Sequence, residues 1–118
     1  MKVKENTIQD KSLSFAVRIV KLCRYIREEK HEYELASQLL RSGTSIGANV
    51  SESKNAQSRS DFINKLNIAL KESDETSYWL TLLYKADILN EQQFESIHND
   101  CSEIIKLLTT IIKTTKES

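Results

Sequence analysis

Glu95 and His98 form a Glu-x-x-His motif, a spacing that places two metal-binding side chains on one face of a helix. Di-iron and di-manganese four-helix proteins use two such motifs and add one glutamate from each remaining helix. This chain has a single copy, and no glutamate falls on the apolar positions of its first three helical segments. The sequence therefore does not predict a metal site, and we expect no cofactor.

The other residue types that could perform catalysis stand apart from one another. His31 and His98 are the two histidines, and Cys23 and Cys101 lack the spacing of a zinc or dithiol motif. Each cysteine falls in an apolar helical stripe, where a buried free thiol is the common state. Neither a phosphate-binding glycine loop nor a nucleophile elbow is present in the sequence. We expect that the protein is not an enzyme.

The composition of the 118 residues indicates helices. Proline is absent and glycine occurs twice, so the turn residues of β-rich folds are missing. No apolar run approaches the roughly 18 residues of a membrane span. The basic N-terminus is not followed by the apolar segment of a secretory signal. We therefore expect a cytoplasmic protein that does not bind a membrane.

Apolar residues recur with the 3.6-residue period of a helix in four segments. The connections between them are short, which favours antiparallel packing of consecutive helices. The sequence therefore predicts an all-α fold, an antiparallel up-down-up-down four-helix bundle that forms one domain over residues 1–118. The predicted helices cover about residues 10–29, 32–56, 61–87 and 91–113.

Capping residues set the expected ends of the last two helices. Ser60 is the preferred N-cap of the third helix, because a serine side chain can accept a hydrogen bond from a free backbone N–H. Asn90 is the expected N-cap of the fourth helix, with Gln93 at the position of a capping box. The C-terminal residues 113–118 are expected to fray.

Both glycines, Gly43 and Gly47, lie inside the second helical segment. A glycine inside a helix costs about 1 kcal/mol relative to alanine, so two of them on one face require a reason. Their missing side chains allow another backbone to approach closely. The spacing therefore predicts close packing of this helix against a neighbour.

The third segment carries large apolar residues on two faces. Ile68, Trp79 and Leu82 lie away from its core-facing stripe. The first segment also has an apolar arc that is wide for a single core contact. We interpret the three residues as a candidate oligomer interface, with ordinary surface hydrophobic residues as the alternative.

The net charge is zero, but the charges are unevenly distributed. Residues 1–60 contain 11 Lys and Arg against 7 Asp and Glu, whereas residues 61–118 contain 6 against 10. Complementarity between neighbouring helices or subunits would explain this difference. Proteins that depend on phosphate contacts usually carry a basic excess, which is absent here.

Basic side chains on the first helix and near the glycines are the candidates for contacts with nucleic-acid phosphates. A solvated surface is the alternative explanation for such a basic face. The candidate residues are Lys11, Arg18, Lys21 and Arg24, joined by Arg41, Lys54 and Arg59.

Linked motifs occupy much of the chain between Leu39 and Leu89. They are Ser45–Glu52 (SIGANVSE), Phe62, Ala69–Ser73 (ALKES) and Glu75–Thr76, with Ser14–Ala16 in the first helix. In these motifs the chain resembles the bacterial four-helix-bundle family of 23S rRNA intervening-sequence proteins. Ser53 departs from the pattern, since relatives usually have glycine after the glutamate.

The resemblance implies a helical bundle that assembles as a ring-shaped homopentamer and has no established enzymatic activity. A related family serves as the accessory protein of diversity-generating retroelements and binds a reverse transcriptase and nucleic acid. We therefore expect a non-enzymatic, homo-oligomeric binding or scaffold protein, whose partner is RNA or a nucleic-acid-processing protein. The alternative is a protein-only interaction module.

Overall fold

The described part of the chain forms four helices, and consecutive helices run antiparallel. The structure, a computed structural model, describes the backbone of residues 3–118 and the side chains of residues 7–118. The all-α four-helix bundle predicted from the sequence is confirmed. The helices are α1 (Val3–Lys30), α2 (Tyr33–Ser53), α3 (Arg59–Lys85) and α4 (Glu91–Glu117).

The helix ends differ from the predicted ones at several points. Helix α1 begins at Val3 and not near residue 10, and the buried Ile8 extends its core stripe toward the N-terminus. Helix α2 ends at Ser53 and not at residue 56, because the next three N–H groups bond to carbonyls only three residues back. Helix α4 ends at Glu117 and not near residue 113.

Two contacts hold this last part of α4. Ile111 and Ile112 are buried in the core, and the Arg59 side chain donates a hydrogen bond to the Ser118 carbonyl oxygen. The apolar stripe of α4 therefore reaches the end of the bundle, where α3 begins.

The N-cap of α3 is Ser58 and not Ser60. The Ser58 hydroxyl oxygen accepts a hydrogen bond of 3.0 Å from the Asp61 N–H, which leaves Ser60 within the first helical turn. The capping box of α4 is confirmed. Asn90 accepts from the Gln93 N–H at 2.8 Å, and the Gln93 side chain accepts from the Asn90 N–H at 2.9 Å.

Each helix packs against two neighbours, and α4 closes the bundle against α1. The molecule measures 46 × 21 × 19 Å. Every helix contributes an apolar stripe to one core, for example Ile19 from α1, Ile46 from α2, Leu80 from α3 and Leu108 from α4. None of the helices in the described part of the chain has the apolar length that a bilayer crossing requires.

Candidate interaction surfaces

The two glycines lie where α2 meets α1. A Cβ atom added to Gly43 would lie 2.8 Å from both Cγ atoms of Ile19, which is fully buried. A Cβ atom on Gly47 would lie 3.3 Å from the backbone carbonyl oxygen of Ser12. Gly43 therefore gives space to a core side chain, and Gly47 gives space to the backbone of α1.

An apolar surface lies on the outside of this helix pair. A groove of about 410 Å³ is lined by Leu13 and Ala16 of α1 and by Gly47 and Ala48 of α2, among others. Leu13 is 66% exposed, and Val17, one turn further along α1, is 47% exposed. We call these five residues the apolar face. Sequence reasoning did not single out Val17, although its spacing of four residues from Leu13 was an available signal.

A charged cluster lies on the other side of α2, where it meets α3. Arg41 donates hydrogen bonds to Glu72, at 3.1 Å, and to Glu75, and the Trp79 indole N–H donates to Glu75 at 3.0 Å. The Trp79 hydrogen bond and the Arg41 guanidinium together lower the pKa of the Glu75 carboxyl below its usual value. We call these four residues the Arg41 cluster.

The three candidate interface residues of α3 are half-buried in the single chain. Trp79 packs against the hydrophobic core, whereas Ile68 and Leu82 are not among the residues that pack there. Tyr78 is 59% exposed and meets the Trp79 ring edge-on, with ring centroids 5.1 Å apart. Sequence reasoning did not single out Tyr78, because its position gave no periodic signal.

Two of the seven candidate phosphate-binding residues form ion pairs with carboxylates of α4. Lys11 forms an ion pair of 2.9 Å with Glu103, and Arg18 forms one of 2.5 Å with Asp100. Arg18 also donates to the Ser96 carbonyl and hydroxyl oxygens. These side chains hold α1 against α4, so their donors are largely engaged within the chain.

Three of the candidate cations remain without such a partner. Lys21, Arg24 and Lys54 make no ion pair with the described side chains. Of the other two, Arg41 is paired with Glu72 and Glu75, and Arg59 donates to a backbone carbonyl. Lys21 and Arg24 lie one turn apart on the exposed side of α1. Lys54 lines the groove beside residues 9 and 10, which lie about 20 Å from Lys21 and Arg24 along α1 at 1.5 Å per residue. The seven residues therefore do not form one basic patch.

The Glu95–His98 motif does not converge on a metal site. Glu95 is exposed, while a His98 ring nitrogen lies 2.9 Å from the Ser77 hydroxyl and the ring stacks on Phe94. Within residues 7–118, no three His, Cys, Asp or Glu side chains are grouped as metal ligands. His98 thus contributes to packing between α3 and α4.

The cysteine thiols lie inside helix contacts. Cys23 donates to the Ala36 carbonyl at 3.3 Å, and Cys101 donates to the Ser73 carbonyl at 3.4 Å. Burial raises the pKa of Cys23 to about 11 and that of Cys101 to about 12. Both thiols are therefore protonated and serve as small core residues.

An open cleft of about 550 Å³ lies at the end of the bundle where α2 connects to α3. Phe62, Leu66 and Ile111 form its apolar floor, and Lys54 and Arg59 lie at its rim. The residues that line this cleft are distant in sequence, so no sequence motif could have indicated the cleft.

The family model described as 23S rRNA-intervening sequence protein matches residues 4–110. A crystal structure from Bacteroides thetaiotaomicron, described as a protein of unknown function from the S23 ribosomal protein family, is similar in sequence and fold. The two chains are 58% identical over 94% of this chain and 99% of that chain, with a TM-score of 0.93. Among functionally curated proteins there is no match.

Proposed function

The chain belongs to the 23S rRNA-intervening sequence protein family, and we propose that it is a non-enzymatic scaffold that self-assembles to bind a macromolecular partner. The observation that supports this most is the apolar face. Leu13 and Val17 are 66% and 47% exposed and lie on a helix whose opposite side already faces the core. A helix that is apolar on two sides is expected where a second surface becomes covered.

We propose that a second copy of the same chain covers this surface, in the homopentamer that the resemblance implies. The uneven charge supports this assignment, because residues 1–60 are basic and residues 61–118 are acidic. A head-to-tail arrangement places opposite charges together, and such contacts generate a ring when the rotation between copies closes.

Measured mass in solution tests the assembly. We expect native mass spectrometry at micromolar concentration to show an oligomer for the wild type and mainly monomer for Leu13→Ser/Val17→Ser. Thr110→Ser is the control, since Thr110 is exposed on α4 and lies outside the apolar face. Because the altered residues are exposed, the melting temperature of the monomer should change little. A monomeric wild type would refute the proposal.

RNA binding is a second candidate, supported by the exposed Lys21 and Arg24, which make no ion pair with the described side chains. Repetition of these two cations around a ring would concentrate positive charge. We expect the affinity for structured RNA to fall steeply with salt, and to fall further in Lys21→Gln/Arg24→Gln than in Lys11→Gln, whose side chain is paired with Glu103. No binding even at low salt would instead favour the protein-only module.

A further inference from the structure

We propose that the contact between copies is head-to-tail and parallel, with the outer stripe of α1 lying along the half-buried stripe of α3 that borders α2 in the next copy. This inference rests on the proposed self-assembly and adds the surfaces that meet. The α1 stripe consists of Leu13, Val17, Lys21 and Arg24. The α3 stripe consists of Ile68, Glu72, Glu75 and Trp79.

Both stripes begin with an apolar residue and continue with charged residues, of opposite sign in the two stripes. Along α1, the apolar Leu13 and Val17 come first and the cations follow. Along α3, the apolar Ile68 comes first and the carboxylates follow. Because alternate helices of an up-down bundle run in the same direction, α1 and α3 are parallel within each chain. They stay parallel between copies that are related by an axis along the bundle.

The spacings along the two stripes also agree. Leu13 and Arg24 are eleven residues apart, as are Ile68 and Trp79, so each pair spans about 16 Å of helix. With Leu13 level with Ile68, Arg24 is level with Trp79. Lys21 then lies within one residue of the level of Glu75.

The Arg41 cluster has the charge to accept another cation. Its two carboxylates, Glu72 and Glu75, share one guanidinium, and their side chains are 21% and 37% exposed. Glu75 is held ionised by its hydrogen bonds to Arg41 and Trp79. Lys21 of the next copy would supply the second positive charge, and a guanidinium level with Trp79 can lie over an indole ring.

Self-pairing of either stripe is disfavoured. In a parallel arrangement, two α1 stripes would bring lysine and arginine side chains together and two α3 stripes would bring carboxylates together, each a like-charge juxtaposition that weakens binding. Each copy therefore uses both stripes once. That heterologous pattern forms a ring when the rotation between copies closes, and a filament when it does not.

Engineered disulfides test the contact directly. In Leu13→Cys/Ile68→Cys, we expect mild oxidation to produce a ladder of covalent oligomers on a denaturing gel. The two positions lie on diagonal helices and cannot cross-link within one bundle, since a disulfide requires Cα atoms within about 7 Å. The native cysteines are buried, so they should not contribute.

The matched controls are Leu13→Cys and Ile68→Cys alone, which we expect to remain uncross-linked. A covalent dimer from either single variant would indicate a symmetric contact and overturn the inference. An oligomeric wild type without a ladder from the double variant would also overturn it, while leaving the proposed scaffold intact. A monomeric wild type would refute the scaffold itself.

Charge reversal provides an independent measurement. We expect Lys21→Glu and Glu75→Lys each to weaken self-association at least tenfold, and Lys21→Glu/Glu75→Lys to restore it in part. Lys106→Glu is the control, because Lys106 is exposed on α4 and outside both stripes. If Glu75→Lys fails to fold, Ile68→Asp replaces it, since Ile68 lies outside the core packing. Loss of RNA binding in Lys21→Glu at unchanged oligomer mass would assign Lys21 to RNA and overturn the inference.

Discussion

Helix α2 packs against α1 and against α3 by different physical means. On the α1 side, Gly43 and Gly47 let the helices come close, and the contact depends on steric fit. On the α3 side, a buried hydrogen bond joins Thr76 to Ser42 at 3.0 Å, and the Arg41 cluster lies at the surface. The two sides of one helix therefore differ in what they tolerate. The α1 side should be sensitive to added volume, and the α3 side to lost polar partners.

Gly43→Ala should produce the largest effect, because the new methyl group would lie 2.8 Å from two carbons of the buried Ile19. We expect the free energy of unfolding to fall by about 2 kcal/mol, since an overpacking cost near 3 kcal/mol exceeds the roughly 1 kcal/mol gained in helix propensity. Chemical denaturation of the monomeric Leu13→Ser/Val17→Ser background measures the change. Gly47→Ala is the control, and its 3.3 Å contact predicts a change near zero.

A double-mutant cycle sharpens this prediction. Ile19→Ala removes the carbons that the new methyl group would meet, so Gly43→Ala should become neutral or stabilising in that background. Equal costs of Gly43→Ala in both backgrounds would show that the α1 side is not limited by volume.

On the α3 side, Thr76→Val keeps the shape of the side chain and removes its hydroxyl. The Thr76 hydroxyl donates to the Glu72 carbonyl and shares a hydrogen bond with the Ser42 hydroxyl, so we expect a loss of about 1 kcal/mol in unfolding free energy. Thr81→Val is the matched control, because Thr81 is half-buried and bonds only to the Ser77 carbonyl of its own helix. An equal loss in both variants would mean that the contact between helices contributes nothing.

The difference between the two sides also explains what the sequence could predict of the fold. Gly43 and Gly47 are visible as anomalies in a helix, so close packing could be inferred before its neighbour was known. The hydrogen bond between Ser42 and Thr76 joins residues far apart in the sequence. It forms only when α2 and α3 pack in the right axial register. Helix ends set by single hydrogen bonds, such as that of Ser58, were predicted less well than the periodic interiors.

The candidate surfaces follow the same pattern. Exposure of Lys21 and Arg24 followed from helical periodicity, but the engagement of Lys11 with Glu103 required the packing of α1 on α4. A basic residue counts as a candidate phosphate contact only when no carboxylate of the same chain reaches it. That condition depends on tertiary structure, so the sequence alone could not separate Lys21 and Arg24 from the paired Lys11 and Arg18.

Arg41→Met should have a smaller effect than Thr76→Val, since the Arg41 side chain is 48% exposed. We expect a loss of about 0.5 kcal/mol in 50 mM salt and less in 1 M salt, where the charges are screened. The destabilisation by Gly43→Ala should not depend on salt. A salt-dependent glycine variant would contradict the assignment of volume to one side and charge to the other.

The smallest expected effect is a dependence on pH that arises from Glu75. The folded-state pKa of this carboxyl lies below its ordinary value of 4.5, because Trp79 and Arg41 bond to the ionised form. The resulting stabilisation is complete above about pH 4.5 and is lost as the pH falls through the folded-state pKa. Glu75→Gln should therefore narrow the gap in melting temperature between pH 7 and pH 3. Glu95→Gln, on the exposed face of α4, should leave that gap nearly unchanged. An equal response of the two variants would show that ionised Glu75 does not contribute to the pH dependence of stability.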